Sequence, residues 1–353
     1  MIIGACGFGS TGSSVVTDYL KEFDGIGVID DLEFTWVSLV DGLIDLERAV
    51  MHPHNRTTDS IVAIQRYLAL AEKKKNSYEK HGISSTVFMD SVHSFLDSII
   101  QVKWNWYENT NYVIRSRHFL QAYMMRKYIP KREKKLGHQI QCWPMTEVSL
   151  CVKPDNFYEA AKKHVSELLS AAGADLTKPL ALDQPFAGNN PQACFPFYDD
   201  PYAIVVDRDP RDNYVFAKTK LLGRNHFMAV EPVEDFITYY RALRDRQPYL
   251  QPDERVMHLQ FEEMVYEYDV TTAKLRDFLH LPENPHPKTV FEPALSIANT
   301  QVFMRFPQYA DDIHKIEEAL PEYLFDFSKY PVPDFKTKMF FGKSPLNSGN
   351  KKV

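Results

Sequence analysis

The chain of 353 residues has only four cysteines, Cys6, Cys142, Cys151 and Cys194, and no two of them form a Cys-x-x-Cys pair. That scatter argues against a zinc site or a dithiol redox motif and fits a reduced compartment. No run approaches the about 18 consecutive apolar residues of a membrane span. The opening Met-Ile-Ile-Gly-Ala-Cys lacks a basic segment ahead of a long apolar one, so no secretory signal is expected. A cytoplasmic protein without a transmembrane segment is the expectation. Positive charge in excess is missing as well: 41 Lys+Arg stand against 47 Asp+Glu, a formal net charge of −6. A strongly basic nucleic-acid coat is thereby excluded, and no nucleic-acid partner is expected. If this chain binds a polyanion, it must do so through a local cationic pocket.

What is present is ordinary globular material, 44% hydrophobic and 25% charged. At roughly 150 residues per domain the length allows about two domains, or one large α/β domain with an insertion. Ile2 to Phe8 reads as a strand, Gly9 to Ser14 as a Gly/Ser-rich turn, and Val15 to Leu20 as a helix. Gly27-Val28-Ile29 is a second strand. Residues 56–140 read as a helical insertion, with apolar residues three and four apart from Ile61 to Leu70. A helix over Ala160 to Leu169 and a strand over Pro179 to Asp183 follow. The strand Tyr202 to Asp207 has no polar alternation, as expected of one buried on both faces. Val256 to Phe261 is another strand, ahead of a helix over Thr271 to Leu281. Strands alternating with helices imply a parallel sheet covered on both faces. The expected organisation is a single domain over 1–343 with a flexible tail, 344–353.

Gly7-Phe8-Gly9-Ser10-Thr11-Gly12-Ser13-Ser14 has the spacing of a phosphate-binding loop, except that Ser13 stands where the lysine of such loops belongs. Glycines let the backbone approach an anion, amide hydrogens converge on it, and the hydroxyls of Ser10, Thr11, Ser13 and Ser14 add donors. A Gly/Ser turn that merely caps a helix is the bland alternative. A missing lysine argues against a Mg-ATP enzyme, which uses it to hold the β- and γ-phosphates. A kinase with Asp207 as metal ligand stays open. Past the buried strand comes Arg208-Asp209-Pro210-Arg211-Asp212, with Pro210 suited to a helix's first turn. An arginine there suits a phosphate, or an Arg–Asp network that pins the turn.

Together, Phe8-Gly9-Ser10-Thr11-Gly12-Ser13-Ser14, Arg208-Asp209-Pro210-Arg211-Asp212 and Leu259-Gln260-Phe261-Glu262-Glu263-Met264 with the following Thr272 to Leu279 resemble the sulfotransferases that use 3′-phosphoadenosine 5′-phosphosulfate (PAPS). The look is closest to bacterial, glycan-type members, helped by Asp183-Gln184-Pro185-Phe186 and Phe306-Pro307-Gln308. The resemblance implies a P-loop-type three-layer α/β fold with a central parallel sheet. It also implies transfer of a sulfuryl group from PAPS to a hydroxyl of a glycan or small compound, leaving PAP. By it, Gly9, Ser10, Thr11, Gly12, Ser13 and Ser14 hold the 5′-phosphosulfate, Arg208 grips the 3′-phosphate, and no metal is needed.

Three departures from the family pattern stand out. The family's loop lysine is replaced by Ser10, which is left to assist the departing phosphate; Arg211, Lys218, Lys220 and Arg224 are candidate substitutes. The family's serine eight residues after its arginine is here Phe216, and the C-terminal Arg-Lys-Gly triplet is absent, with Lys338 or Lys343 in reach of its role. Glu33 stands where some members carry the catalytic base; His93 and His118 are rivals. Trp104, Trp106 and Tyr107 suit a sugar ring or a core, and the basic run Arg126 to Lys135 suits an anionic glycan or a solvated helix face. A catalytically inactive nucleotide-binding protein is the remaining alternative.

Overall fold

The computed structural model describes residues 1–55, 58–107, 127–138, 145–221, 228–245 and 252–334. Its strands are β1 (Ile2–Gly7), β2 (Gly27–Glu33), β3 (Val102–Tyr107), β4 (Met145–Leu150), β5 (Leu180–Asp183), β6 (Pro201–Asp207) and β7 (Val256–Gln260). Five of them form one sheet in the order β2-β5-β1-β6-β7, every pair parallel. Alternation along the strands then divides the core. Cys6, Leu180, Leu182, Ala203 and Val205 face one side, while Ile3, Ala5, Ala181, Ile204 and Val206 face the other. Both sets are apolar, which is why these strands lack a polar period.

On the first side pack α2 (Leu43–Met51), α3 (Thr58–Glu79), α4 (Ser85–Ile99) and α6 (Phe157–Ala171), through Leu46, Tyr67, Phe88, Phe95 and Leu168. A further helix, α5, spans residues 127–136. The second side is covered by α1 (Ser14–Leu20), α9 (Phe261–Tyr266) and α10 (Tyr268–Leu279), through Val16, Tyr19, Met264 and Leu275. A satellite core joins α7 (Pro210–Phe216), α8 (Val233–Arg244) and α11 (Ala310–Ala319) through Tyr214, Phe236 and Ile316. This is the expected three-layer α/β arrangement with a central parallel sheet. No helix among the described residues is long and apolar enough to cross a membrane.

The helical reading of 56–140 needs correcting. Residues 102–107 form β3, which pairs antiparallel with β4 from Val102↔Leu150 to Tyr107↔Met145. Lys-Trp-Asn-Trp alternates with period two, and aromatics suit a pleated surface; that pattern is a strand's. Trp104 is half-buried there. Strand β2 runs on to Glu33, with its register against β5 shifting between Ile29 and Glu33. Strand β7 stops at Gln260, whose amide donates to Glu263 Oε2 at 2.8 Å as α9 begins. The tail 344–353, with Lys338 and Lys343, lies outside the described residues.

Candidate active site

The loop between β1 and α1 is held open by its backbone. Gly9 and Gly12 have φ of +89° and +86°, and Ser10 takes φ +55° without being glycine, a conformation that costs an L-residue about 1–2 kcal/mol. A Cβ on Gly12 would sit 2.7 Å from the Phe261 ring. Four side chains tie the loop down. Thr11 is buried and its Oγ1 accepts from the Phe8 amide at 3.4 Å. Gln184 Nε2 donates to Ser13 Oγ at 2.8 Å, Asn213 Nδ2 to the Gly9 carbonyl at 3.1 Å, and Arg208 Nη1 to the Ser10 carbonyl at 3.4 Å. Apart from the Phe8 amide, these anchors hold two carbonyls and a hydroxyl. The amides from Gly9 to Ser13 donate to no acceptor among the described residues, and Ser10 Oγ is buried without a partner. Convergent unclaimed donors are what an anion needs.

Those donors line a cleft of about 710 Å³ that also takes in Ser14, Glu33, Gln184 and Arg208. The cleft lies at the carboxyl ends of the strands, where open α/β sheets bind ligands. Glu33 closes β2 opposite Asp183, the last residue of β5, and the Phe34 amide donates to the Asp183 carbonyl at 2.9 Å. Thr35 and Ser38 add hydroxyls beside it. The structure thus brings the loop residues Gly9, Ser10, Gly12, Ser13 and Ser14, Arg208 and Glu33 to one cavity, while Thr11 supports it from behind.

Arg208 is the one cation among the described residues that line this cleft. It is 3% exposed. Nη2 donates to the Asn299 carbonyl, Nε is buried without a partner, and the Phe216 and Phe261 rings lie 4.0 and 5.0 Å from Cζ. Burial pulls its pKa down against the opposing pull of Asp212, Glu262 and Asp209. Burial also pushes Asp212 up to about 7 and Glu262 well above the carboxylate range, with Arg208 opposing both. A test of fit to PAPS therefore divides. The 5′-phosphosulfate half meets unclaimed amides and the unpartnered Ser10 hydroxyl; the 3′-phosphate half meets a guanidinium whose two terminal nitrogens already donate to carbonyls, leaving Nε unpartnered.

Several candidate residues play other parts. Arg211 does not stand in for the loop lysine: Nε and Nη2 donate to both Asp209 oxygens at 2.9 and 2.7 Å, and Nη1 donates to Glu317 at 2.9 Å. Nor does Lys218, which pairs with Glu231 at 2.5 Å over the Tyr214 and Tyr309 rings. His93 is exposed on α4 and is not in the cleft. From Lys127 to Lys135 the basic residues are exposed along α5. His118, Arg126, Arg224 and the side chains of Lys220, Trp106 and Tyr107 lie outside the described residues.

Asp207 is gripped by Arg244, whose Nε reaches Oδ2 at 2.8 Å and Nη2 reaches Oδ1 at 2.6 Å. Among the described residues there is no group of His, Cys, Asp or Glu that could hold a metal ion. Sequence reading missed Asn213 and Asn299. Asn213, five positions beyond Arg208, is carried toward the loop by the first turns of α7; Asn299 has no local signal at all.

No family model and no curated protein matches the chain. Among solved structures, it is similar to sulfotransferase STF9 from Mycobacterium avium, at 15% identity and TM-score 0.34 over 94% of this chain and 77% of that one. Sulfotransferase STF1 from Mycobacterium tuberculosis H37Rv gives 12% and 0.35, over 91% and 76%. The sulfotransferase domain from the curacin biosynthetic pathway gives 12% and 0.32, over 95% and 93%. All three of these solved chains are sulfotransferases.

Proposed function

We propose that the protein transfers a sulfuryl group from PAPS to a hydroxyl of a glycan or small acceptor, in the cytoplasm. The observation that carries this reading is that the unclaimed amides of Gly9, Ser10, Gly12 and Ser13 and the unpartnered Ser10 Oγ share one cleft with Glu33. PAPS supplies a sulfuryl group already bonded to a phosphate leaving group. The loop amides bind and neutralise that phosphate, and preorganised donors of this kind act without reorganising during the reaction. Ser10 Oγ donates where the departing oxygen gains charge. Glu33 accepts the proton of the acceptor hydroxyl as its oxygen bonds to sulfur and the bond from sulfur to the phosphate oxygen breaks.

A Mg-ATP kinase is disfavoured by one contact: both Asp207 oxygens are committed to Arg244. The test compares thermal stabilisation by 3′,5′-ADP with that by ATP plus Mg²⁺, then follows sulfate transfer from PAPS to a panel of hydroxyl compounds. A ligand at a hundredfold excess over its Kd adds about 2.7 kcal/mol. Glu33→Gln should cut transfer by roughly 10²- to 10⁴-fold while leaving 3′,5′-ADP binding intact. Preference for Mg-ATP would overturn the proposal, and 3′,5′-ADP binding without transfer to any acceptor would make the chain an inactive nucleotide binder.

A further inference from the structure

We infer that the nucleotide site does not select for a 3′-phosphate, and that Phe216 is the residue responsible. The inference rests on the reading of the Gly9–Ser14 loop as a nucleotide 5′-phosphate site. A phosphate is held by a guanidinium through two neighbouring N–H groups on an accessible edge. On Arg208 each such edge includes a terminal nitrogen already bonded to a carbonyl. Its two terminal nitrogens donate to the carbonyls of Ser10 and Asn299, and its Nε is buried. The Phe216 ring, 4.0 Å from Cζ, covers a face, and the whole residue is 3% exposed.

Charge points the same way. Asp212 and Glu262 are fully buried beside Arg208 and act on it electrostatically. Asp209, equally buried, is taken by Arg211. Arg208 is thus the one positive charge among the described residues lining the cleft, and it already has buried acidic groups for neighbours. A phosphate dianion added here would meet the rings of Phe216, Phe261 and Phe291 with no second cation from the described cleft lining. Burying an anion without paired charge is costly. Arg208 instead fastens the loop to the Asn299 turn. The donors accepted would be nucleoside 5′-phosphosulfates with or without a 3′-phosphate.

Calorimetric titration of the full chain with 5′-AMP and with 3′,5′-ADP tests this. The expected result is that the two Kd values agree within about threefold, under 0.7 kcal/mol, and that Phe216→Ser shifts the ratio toward 3′,5′-ADP by roughly tenfold or more. Arg208→Lys gives a second reading should Phe216→Ser fail to fold: it should change both affinities by the same factor. A wild-type preference for 3′,5′-ADP beyond threefold, abolished by Arg208→Lys, would overturn the inference while leaving the nucleotide-site reading in place. Binding of neither nucleotide would overturn both.

Discussion

The side-chain amide of Gln184 donates to Ser13 Oγ at 2.8 Å, joining the end of β5 to the loop after β1 across 171 positions of sequence. Gln184 is itself set by a φ of +52° and by its amide, which donates to the Ala5 carbonyl at 2.8 Å. Its side chain therefore holds the loop in place for its ligand. One net hydrogen bond is worth about 1 kcal/mol, so Gln184→Ala should weaken 3′,5′-ADP binding by roughly fivefold with little change in Tm. Calorimetry and a melt on the same sample check this; an unaltered Kd would show that the loop holds its shape unaided.

Gly12→Ala should be far more damaging. The new methyl would meet the Phe261 ring at 2.7 Å, at a residue whose φ is +86°. Strain of this kind costs on the order of 1–3 kcal/mol, and its relief would distort the loop, so nucleotide binding should be lost along with stability. Adding Phe261→Leu should restore part of the stability, as read by urea midpoints, and no recovery would mean that backbone strain alone is at fault.

Arg208→Ala would leave Asp212 and Glu262 buried without their counter-charge. Breaking a buried pair from one side costs roughly 3–5 kcal/mol, so this variant should unfold at clearly lower urea. A wild-type midpoint would show that the two carboxylates are held neutral. Arg208→Lys keeps the charge and should fall between.

A second buried network sets a pH dependence. His164 is 1% exposed; Trp36 Nε1 reaches its Nε2 at 3.1 Å, and Ser91 Oγ lies 2.8 Å from Nδ1. Burial pulls its pKa from 6.5 down to about 3. Between those values the unfolded chain takes up a proton that the native state refuses, so the stability owed to neutral His164 is complete above pH 6.5 and declines as pH falls toward 3. Asp212, raised from 3.8 to about 7, works in the opposite sense: its contribution is complete below pH 3.8 and is lost as pH rises through 7. Unfolding free energies across this range should slope less with pH in His164→Gln than in the wild type, and less in the downward direction in Asp212→Asn. Parallel curves would refute the assignment.

The parts of the site that were legible in the sequence carry strong local signals. The run Ile2 to Ser14 holds strand, turn and helix in one stretch, and Tyr202 to Asp212 joins a doubly buried strand to a proline-started helix. The use of the two arginines in Arg208-Asp209-Pro210-Arg211 was not legible, because it is decided by partners far along the chain: the Asn299 carbonyl for one, Glu317 and the Phe325 carbonyl for the other. Phe216 could be read only as a missing serine; that its ring lies on Arg208 required the fold. Strand β3 was misread because its six residues are too short a window to outweigh the helical pattern before them.

Strand β1 is the centre of the sheet, yet its neighbours are remote: Ile2 pairs with Leu180 on one side and Pro201 on the other. During synthesis, the two edges of this apolar strand remain without their native partners until the segments around Leu180 and Pro201 have emerged. Pairings at such long range are slow to form and leave sticky edges in the meantime. The ligand loop at the end of β1 cannot acquire the Gln184, Arg208 and Asn213 contacts that hold it until those strands have docked. Recovery of the proposed nucleotide binding should thus be a late event in refolding, and a chain cut before Leu180 would carry the complete loop motif without the Gln184, Arg208 and Asn213 contacts.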